Sequence, residues 1–439
     1  MRLILTLVLT GILSAISTIC FSQTWERTYY NHQYGSAVVQ ADDGGFIVTG
    51  KAWIGGVVFL KVDGYGDEVW SHVIDDESYE YEQGDDIIKT SDGGYMILAY
   101  TKLEVPDDQG VIWLIKADAE GIVEWDGNIV LGDHLYGTSI QQTSDGGYII
   151  AAQYYYDGID EAMLIKTDSG GNVIWNEVVE GLGTTTIESV REISTGGYII
   201  CGSSYEDVEY YSQMTLIKTD DLGTQQWVKY FLDDTDDTSD GASVRETIDG
   251  GFVIAGTTYL IFTKDWGYAH VYLVKTDSSG NEQWTQSIST LNSAEELCGA
   301  HDIEQTTDGG FILTGESDAL IGTADSHVLI LKTNSDGEQL WANYFDGLST
   351  NSGAGYSIKQ TSDEGFIITG FESSICLIKT NENGMVASIN QTLENQSQDV
   401  DKVLLQVCNV LGQTVSPSPH QLLFYHYNDN SVEKRYISD

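Results

Sequence analysis

An Asp-Gly-Gly turn set between two strand-like segments returns along the chain at Asp43, Asp92, Asp145, Asp249 and Asp308. It is degraded at Thr195-Gly196-Gly197 and at Asp363-Glu364-Gly365. The copies lie about 50–60 residues apart, the spacing of units that stack or close into a ring. A second mark, Lys-x-Asp/Asn, keeps the same count, beginning at Lys61, Lys116, Lys166, Lys218, Lys275, Lys332 and Lys379. A third is a Trp seven residues after that Asp or Asn: Trp70, Trp125, Trp175, Trp227, Trp284 and Trp341. The last unit has Ser388 at that position, and one Trp is displaced to the other end of the chain, Trp25. Seven units with one strand moved from the end to the beginning is the arithmetic of a closed ring.

Within a unit, segments such as Ser139-Ile140-Gln141-Gln142-Thr143 alternate apolar and polar residues, as a half-buried strand does. This is strand A. The Asp-Gly-Gly hairpin leads to strand B, such as Tyr148-Ile149-Ile150-Ala151. After a connection of variable length comes strand C, such as Ala162-Met163-Leu164-Ile165-Lys166, then a Thr-Asp-x-Gly turn and strand D with its Trp. The turn glycines provide positive φ without a Cβ clash, and the Asp side chain can accept from backbone N–H groups two residues on. Helical periodicity is absent outside the N-terminal segment, and short strands with regular turns imply an all-β fold. The expected architecture is a seven-bladed β-propeller of four-stranded blades, the N-terminal strand completing the last blade, with a small β-rich tail. The short A–B and C–D turns then share one face. The variable B–C and D–A connections share the other, where binding is expected.

Met1-Arg2 followed by the apolar run Leu3 to Ile19 reads as a signal peptide over residues 1–22, freeing Gln23. The propeller is expected over 23–384, a polar linker over 385–402 and the tail over 403–439. No second apolar run is long enough to span a membrane. The formal net charge is −47, with 20 Lys and Arg against 67 Asp and Glu. That excludes nucleic acid and anionic membrane as natural partners, since both need clustered cations. A monomer is expected. Of Cys201, Cys298, Cys376 and Cys408, Cys201 and Cys376 fall where other units carry small or apolar residues and read as fillers, and no Cys-x-x-Cys provides a thiolate zinc site.

The tail contains Val410-Leu411-Gly412-Gln413 and ends Phe424-Tyr425, Asp429, Val432-Glu433-Lys434-Arg435. It resembles the C-terminal sorting domain of proteins exported by the type IX secretion system of Bacteroidota. That resemblance implies delivery outside the cell or to its surface, with the secretion machinery as a partner. The body, through its Asp-Gly-Gly-Tyr/Phe and Lys-Thr-Asp-x-x-Gly-x-x-x-Trp units, resembles secreted bacterial and archaeal β-propeller repeat proteins. Its Trp step is also similar to the tryptophan-docking repeat of quinoprotein and outer-membrane-assembly propellers. No cofactor signature accompanies it, and no quinone site is carried over.

Two groups of residues stand out as site candidates. The acid-rich loop contributing Asp233, Asp234, Asp236, Asp237 and Asp240 is a candidate calcium site, because calcium takes six to eight oxygen ligands. No other cofactor is implied. The aromatic residues Tyr79, Tyr81, Tyr154, Tyr155, Tyr156, Tyr205, Tyr210, Tyr211 and Trp266 fall in B–C or D–A connections. They offer apolar faces with polar handles suited to sugar rings or peptide. The Asp of every turn, by contrast, recurs in blade after blade and is expected to cap its turn. His-Glu-x-x-His, Gly-x-Ser-x-Gly and phosphate-binding loops are missing. The reading is therefore a binding or adhesion module for a glycan or protein ligand. The alternative is a carbohydrate-active enzyme, which requires two carboxylates in a central cleft, one with a raised pKa. A quinone-dependent dehydrogenase would require a deep central pocket with calcium.

Overall fold

The computed structural model describes residues 24–386, apart from 76–78, 104–109, 133, 157–158, 182, 206–211, 233–237, 264–265, 291–296, 319–325, 346–352 and 372, together with strands at 404–408, 421–427 and 432–437. The chain divides into two units, Met1–Ala387 and Ser388–Asp439. In the second, Leu404–Cys408, Gln421–Tyr427 and Val432–Ile437 pair in that order as an antiparallel three-stranded sheet.

In the first unit every sheet is an antiparallel meander of four strands, and seven such blades are traced among the described residues. Two neighbouring blades are also joined by a single parallel bridge, His134 with Gly110. The innermost strands are His32–Gln40, Tyr79–Lys89, His134–Gln142 and Thr184–Glu192, then Thr238–Glu246, Cys298–Gln305 and Ala354–Gln360. Each packs against the innermost strand before and after it, and the last returns to the first. We number the blades 1 to 7 in this order. Blade 7 takes its outer strand from the N-terminus: Trp25–Tyr29 pairs antiparallel with Ile375–Thr380, Trp25 opposite Lys379. That is the register of the other blades, where Trp70 faces Lys61 and Trp175 faces Lys166.

The repeated residues each have a mechanical task. In the Asp-Gly-Gly turn of blade 3, Gly146 N donates to Thr143 O at 2.9 Å and Thr143 N to Gly147 O at 2.9 Å. Gly146 sits at φ 84°, the three-residue hairpin with glycine in the left-handed position. The Asp145 carboxylate accepts from Gly147 N at 2.9 Å and Thr143 Oγ1 at 2.6 Å. It also pairs with Lys166 Nζ at 2.9 Å. The same Asp–Lys pair recurs as Asp43–Lys61, Asp92–Lys116, Asp249–Lys275, Asp308–Lys332 and Asp363–Lys379, at 2.6–3.0 Å. Sequence reasoning foresaw the cap and missed the ion pair. Bonding to Thr143, and then the other donors, holds the Asp145 pKa down at about 2. In blade 4, where Thr195 replaces the Asp, Gly197 N donates instead to Asp221 of the neighbouring C–D turn. Blade 7 keeps the turn with Glu364 at φ 66°, in the place usually held by glycine.

The Trp residues join blade to blade. A Cβ built on Gly121 would collide with Trp70 of the preceding blade, and the same holds for Gly171 with Trp125, Gly223 with Trp175 and Gly280 with Trp227. Gly337 with Trp284 and Gly384 with Trp341 continue the series. The circuit ends with Trp25 of blade 7 on Gly66 of blade 1. Between the blades, apolar side chains of strands A to C interleave into successive buried clusters. Cys201, Cys298 and Cys376 are buried within them. Among the described residues no helix is long and apolar enough to cross a membrane.

Candidate functional site: the central channel

Every innermost strand has an irregularity at the same place. The register slips between Gly35 and Ala37, Gly84 and Asp86, Gly137 and Ser139, and Ile187 and Ser189. It slips again between Gly241 and Ser243, Ala300 and Asp302, and Gly355 and Ser357. Each slip is a β-bulge, which inserts an unpaired residue and re-aims its neighbours. The inserted residues are Ser36, Asp85, Thr138, Glu188, Ala242, His301 and Tyr356, and all seven line a single cavity of about 600 Å³ on the ring axis.

Two further tiers line the same cavity. Next to the bulges stand Ala37, Asp86, Ser139, Ser189, Ser243, Asp302 and Ser357. Two residues further on are Val39, Ile88, Gln141, Arg191, Arg245, Glu304 and Lys359. The cavity continues to Thr90, Ser91 and Gln142, at the A–B turn end of the channel. It therefore extends away from the variable-connection face on which a ligand was expected.

Toward that other face the first tier is roofed by hydrogen-bonded aromatics. Tyr34 Oη and Tyr81 Oη both donate to Gln83 Oε1, at 2.7 and 2.6 Å. Gln83 Nε2 donates to Asp85 Oδ1 at 2.6 Å, and Tyr136 Oη donates to the same oxygen at 2.9 Å. Tyr100 meets both Tyr81 and Tyr136 edge-on, and Tyr34 meets Tyr356, which stacks on His301. Asp85 Oδ2 is closed off from solvent and has no partner among the described residues. Burial, reinforced by the charge of Asp86, lifts the Asp85 pKa to about 8 against the pull of Gln83 and Tyr136. In the neutral acid the proton belongs on Oδ2, since Oδ1 already accepts two bonds. Burial, then the Asp240 charge, lifts Glu188 to about 7. Burial followed by the Asp85 charge drives the Tyr136 phenol far above its usual range.

The third tier is a charge network. Asp302 accepts from Ser243 Oγ, Arg245 Nη2 and Ile303 N through Oδ1, at 2.9, 2.5 and 3.0 Å. Its Oδ2 accepts from Ile358 N at 3.1 Å and Lys359 Nζ at 2.8 Å. The Lys359 and Arg245 charges overcome burial and hold the Asp302 carboxylate far below its usual range. Asp86 accepts from Ile87 N and Ile140 N, at 2.8 and 3.0 Å. Burial nevertheless raises its pKa, Arg191 opposing.

Those aromatic residues named from the sequence that the structure describes lie in strands, near their ends, and not in connections. Tyr79 and Tyr81 lie in Tyr79–Lys89, and Tyr154, Tyr155 and Tyr156 close Tyr148–Tyr156, paired with Glu161, Asp160 and Ile159. Tyr205 ends Tyr198–Tyr205, and Trp266 opens Trp266–Thr276, opposite Thr263. The strands of blades 3 and 5 simply run further than their turn signals suggested. Among the described residues of this set, Tyr81 joins the network above the channel. Tyr210 and Tyr211 lie outside the described residues, as do Asp233, Asp234, Asp236 and Asp237. Asp240 lies in the innermost strand of blade 5, where it accepts from Ser212 Oγ at 2.5 Å. Among the described residues no group of three or more His, Cys, Asp or Glu is arranged to hold a metal ion.

Sequence reasoning missed the channel residues because it treated strand A as plain alternation. The signal was a column one place after the strand-A Gly in most units. That column holds Ser, Asp, Thr, Glu, Ala, His and Tyr between positions that scarcely change.

No protein-family model and no curated protein matches the chain. Among solved structures it is similar to the BP39L lectin from Burkholderia pseudomallei, with TM-score 0.53, 7% identity, and coverage of 81% of this chain and 98% of that one. YCF48 from Cyanidioschyzon merolae aligns at TM-score 0.46 and 11% identity over 81% of this chain and 98% of its own. The α-L-arabinanase of Penicillium chrysogenum aligns at TM-score 0.43 and 10% identity over 82% and 100%. At such identities the likeness concerns the fold: the chain is an all-β protein of the propeller kind.

Proposed function

We propose that this protein is a secreted or cell-surface binding module whose central channel receives a glycan. The observation that carries the reading is the bulge tier. The backbone device recurs in all seven blades, while the residue it carries differs in each: Ser, Asp, Thr, Glu, Ala, His and Tyr. What repeats serves the blade, and what varies at a fixed geometry serves a ligand. Adjacent donors, acceptors and aromatic faces suit a polyhydroxylated ring, which offers hydroxyls at its rim and C–H groups on its face. Delivery by type IX secretion belongs to the same proposal and rests on the tail motif. Removing residues 403–439 is expected to retain the protein inside the cell.

The test is a glycan array probed with the chain from Gln23 to Asp439, alongside Tyr356→Ala and His301→Ala. Binding that these changes weaken supports the reading. Absence of any glycan binding, or binding indifferent to both changes, overturns it. Calcium held by Asp233, Asp234, Asp236, Asp237 and Asp240 is a separable proposal, checked by calorimetric titration of chelator-treated protein.

A second reading has its own observation. Asp85 and Glu188 are carboxyl groups lining one cavity with raised pKa values, as an acid catalyst for glycoside hydrolysis requires. Release of reducing sugar by the purified chain, lost in Glu188→Gln with binding retained, would establish it over simple binding.

A further inference from the structure

The third tier holds three cations, Arg191, Arg245 and Lys359, facing one cavity in a protein whose net charge is −47. Only one other arginine, Arg27, lies between residues 24 and 386. The cations are not alike. Arg245 and Lys359 share Asp302, one on each carboxylate oxygen, at 2.5 and 2.8 Å. Lys359 also has Glu304 at 3.7 Å. Arg191 has no ion pair among the described residues. Its Nη1 donates to Ser139 Oγ at 3.0 Å and to Val190 O at 2.6 Å, both neutral acceptors.

Two carboxylates act on Arg191 electrostatically, Asp86 and Asp302: Asp86 is engaged by two backbone N–H groups and burial favours its neutral form, while Asp302 is already shared by Arg245 and Lys359. Burial and then the Arg245 charge lower the Arg191 pKa only to about 10, so the guanidinium stays protonated at neutral pH. A charge removed from water without a partner is costly, and the cost falls when an anion arrives. A guanidinium presents paired N–H groups that match the two oxygens of a carboxylate or sulfate.

We infer that Arg191, flanked by Arg245, forms a subsite in the channel for the oxyanion of an acidic saccharide, a uronate carboxylate or a sulfate ester. This deepens the glycan reading and rests on it for the saccharide. The cavity of about 600 Å³ has room for the sugar as well as its acidic group, since ligand pockets run roughly from 300 to 1,000 Å³. The acidic exterior repels such a ligand at long range. Salt screens that repulsion, with a Debye length of about 10 Å at ~0.1 M, but screens a buried contact much less. Association should therefore quicken on going from low to physiological salt, the reverse of ligands drawn by a basic surface.

The experiment titrates the chain from Gln23 to Asp439 with tri-galacturonate, with its fully methyl-esterified and hence uncharged trimer, and with a sulfated galactan trimer. Arg191→Gln and Arg191→Lys are run in parallel, each checked for an unchanged melting transition. At least one of the two acidic trimers is expected to bind about tenfold or more tighter than the ester, a gap of ~1.4 kcal/mol or more. The tighter of the two identifies the oxyanion. Arg191→Gln should abolish the difference, and Arg191→Lys should recover part of it. Equal binding of acidic and esterified trimers overturns the oxyanion subsite and leaves the glycan reading standing. Binding of inorganic sulfate that depends on Arg191, with no saccharide bound, keeps the anion site and overturns the saccharide. If Arg191→Gln does not fold, Arg191→Lys decides: undiminished discrimination by that variant counts against a bidentate guanidinium contact.

Discussion

Trp25 lies directly on Gly66. A Cβ built on that glycine would stand 2.7 Å from the indole, and Trp25 Nε1 donates to Gly64 O at 2.9 Å. The pair joins the first strand of the propeller to the first blade, and so completes the ring by the contact used at every other joint. Gly66 also holds φ at 79°. Two costs therefore meet in Gly66→Ala: roughly 1–2 kcal/mol for an L-residue in the left-handed region, and the displacement of the indole. Gly44, at φ 84° with nothing within 4 Å of its missing Cβ, carries only the first. Gly66→Ala is expected to lower the melting temperature clearly more than Gly44→Ala. Equal losses in the two variants would show that the Trp contact contributes nothing.

The degraded turn of blade 7 offers a gain of stability. Glu364 occupies φ 66° in a hairpin whose hydrogen bonds match those of its glycine-bearing counterparts. Glu364→Gly relieves the left-handed strain, about 1 kcal/mol, offset in part by the greater freedom of glycine in the unfolded chain. A small rise in the denaturation midpoint is expected, with an unchanged slope.

The turn ion pairs are asymmetric. Lys166 is almost fully buried, while the Asp145 side chain is 58% exposed. Removing the lysine leaves a solvated carboxylate; removing the carboxylate leaves a buried cation. Asp145→Asn is therefore expected to cost more than Lys166→Met at neutral pH, by roughly 1–2 kcal/mol. Chemical denaturation of the two variants measures the difference.

Stability should respond to pH in two windows of opposite sign. Asp92 and Asp145 have folded-state pKa values of about 2, below those of the unfolded chain. Their contribution is present above pH ~4 and is lost as pH falls through that window. Asp85, raised to about 8, behaves in the reverse sense. Between pH ~4 and ~8 the folded protein holds a proton that the unfolded chain releases, so stability declines as pH rises. Asp85→Asn should flatten the decline between pH 5 and 8 while leaving the acid limb intact, as a series of melting curves would show. An unchanged slope would mean that Asp85 ionises normally.

The sequence revealed what is repeated and concealed what is not. Lys, Asp, Gly and Trp recur because each blade needs a clamped turn and a docked indole, so counting them recovered the blades and the displaced strand of Trp25. Asp85 and Glu188 occur once each in their column, and Arg191 stands in a column shared by Val, Ile, Gln, Glu and Lys, so no seven-fold recurrence marks them. The bulge hides them further: one inserted residue shifts the inward phase, and Asp85 and Asp86 both line the channel where plain alternation would turn one away. Conversely, Tyr154 and Trp266 stood out by residue type, in extensions of ordinary strands that reach well beyond the turn signals.

The bulges make recognition separable from assembly. A residue that pairs with nothing across the sheet can be exchanged without removing a backbone hydrogen-bonded rung or a Trp-on-Gly joint. Seven such positions therefore ring one pore, so a lineage bearing this scaffold can change its ligand by substitution at the bulges while the wheel that holds those positions stays the same.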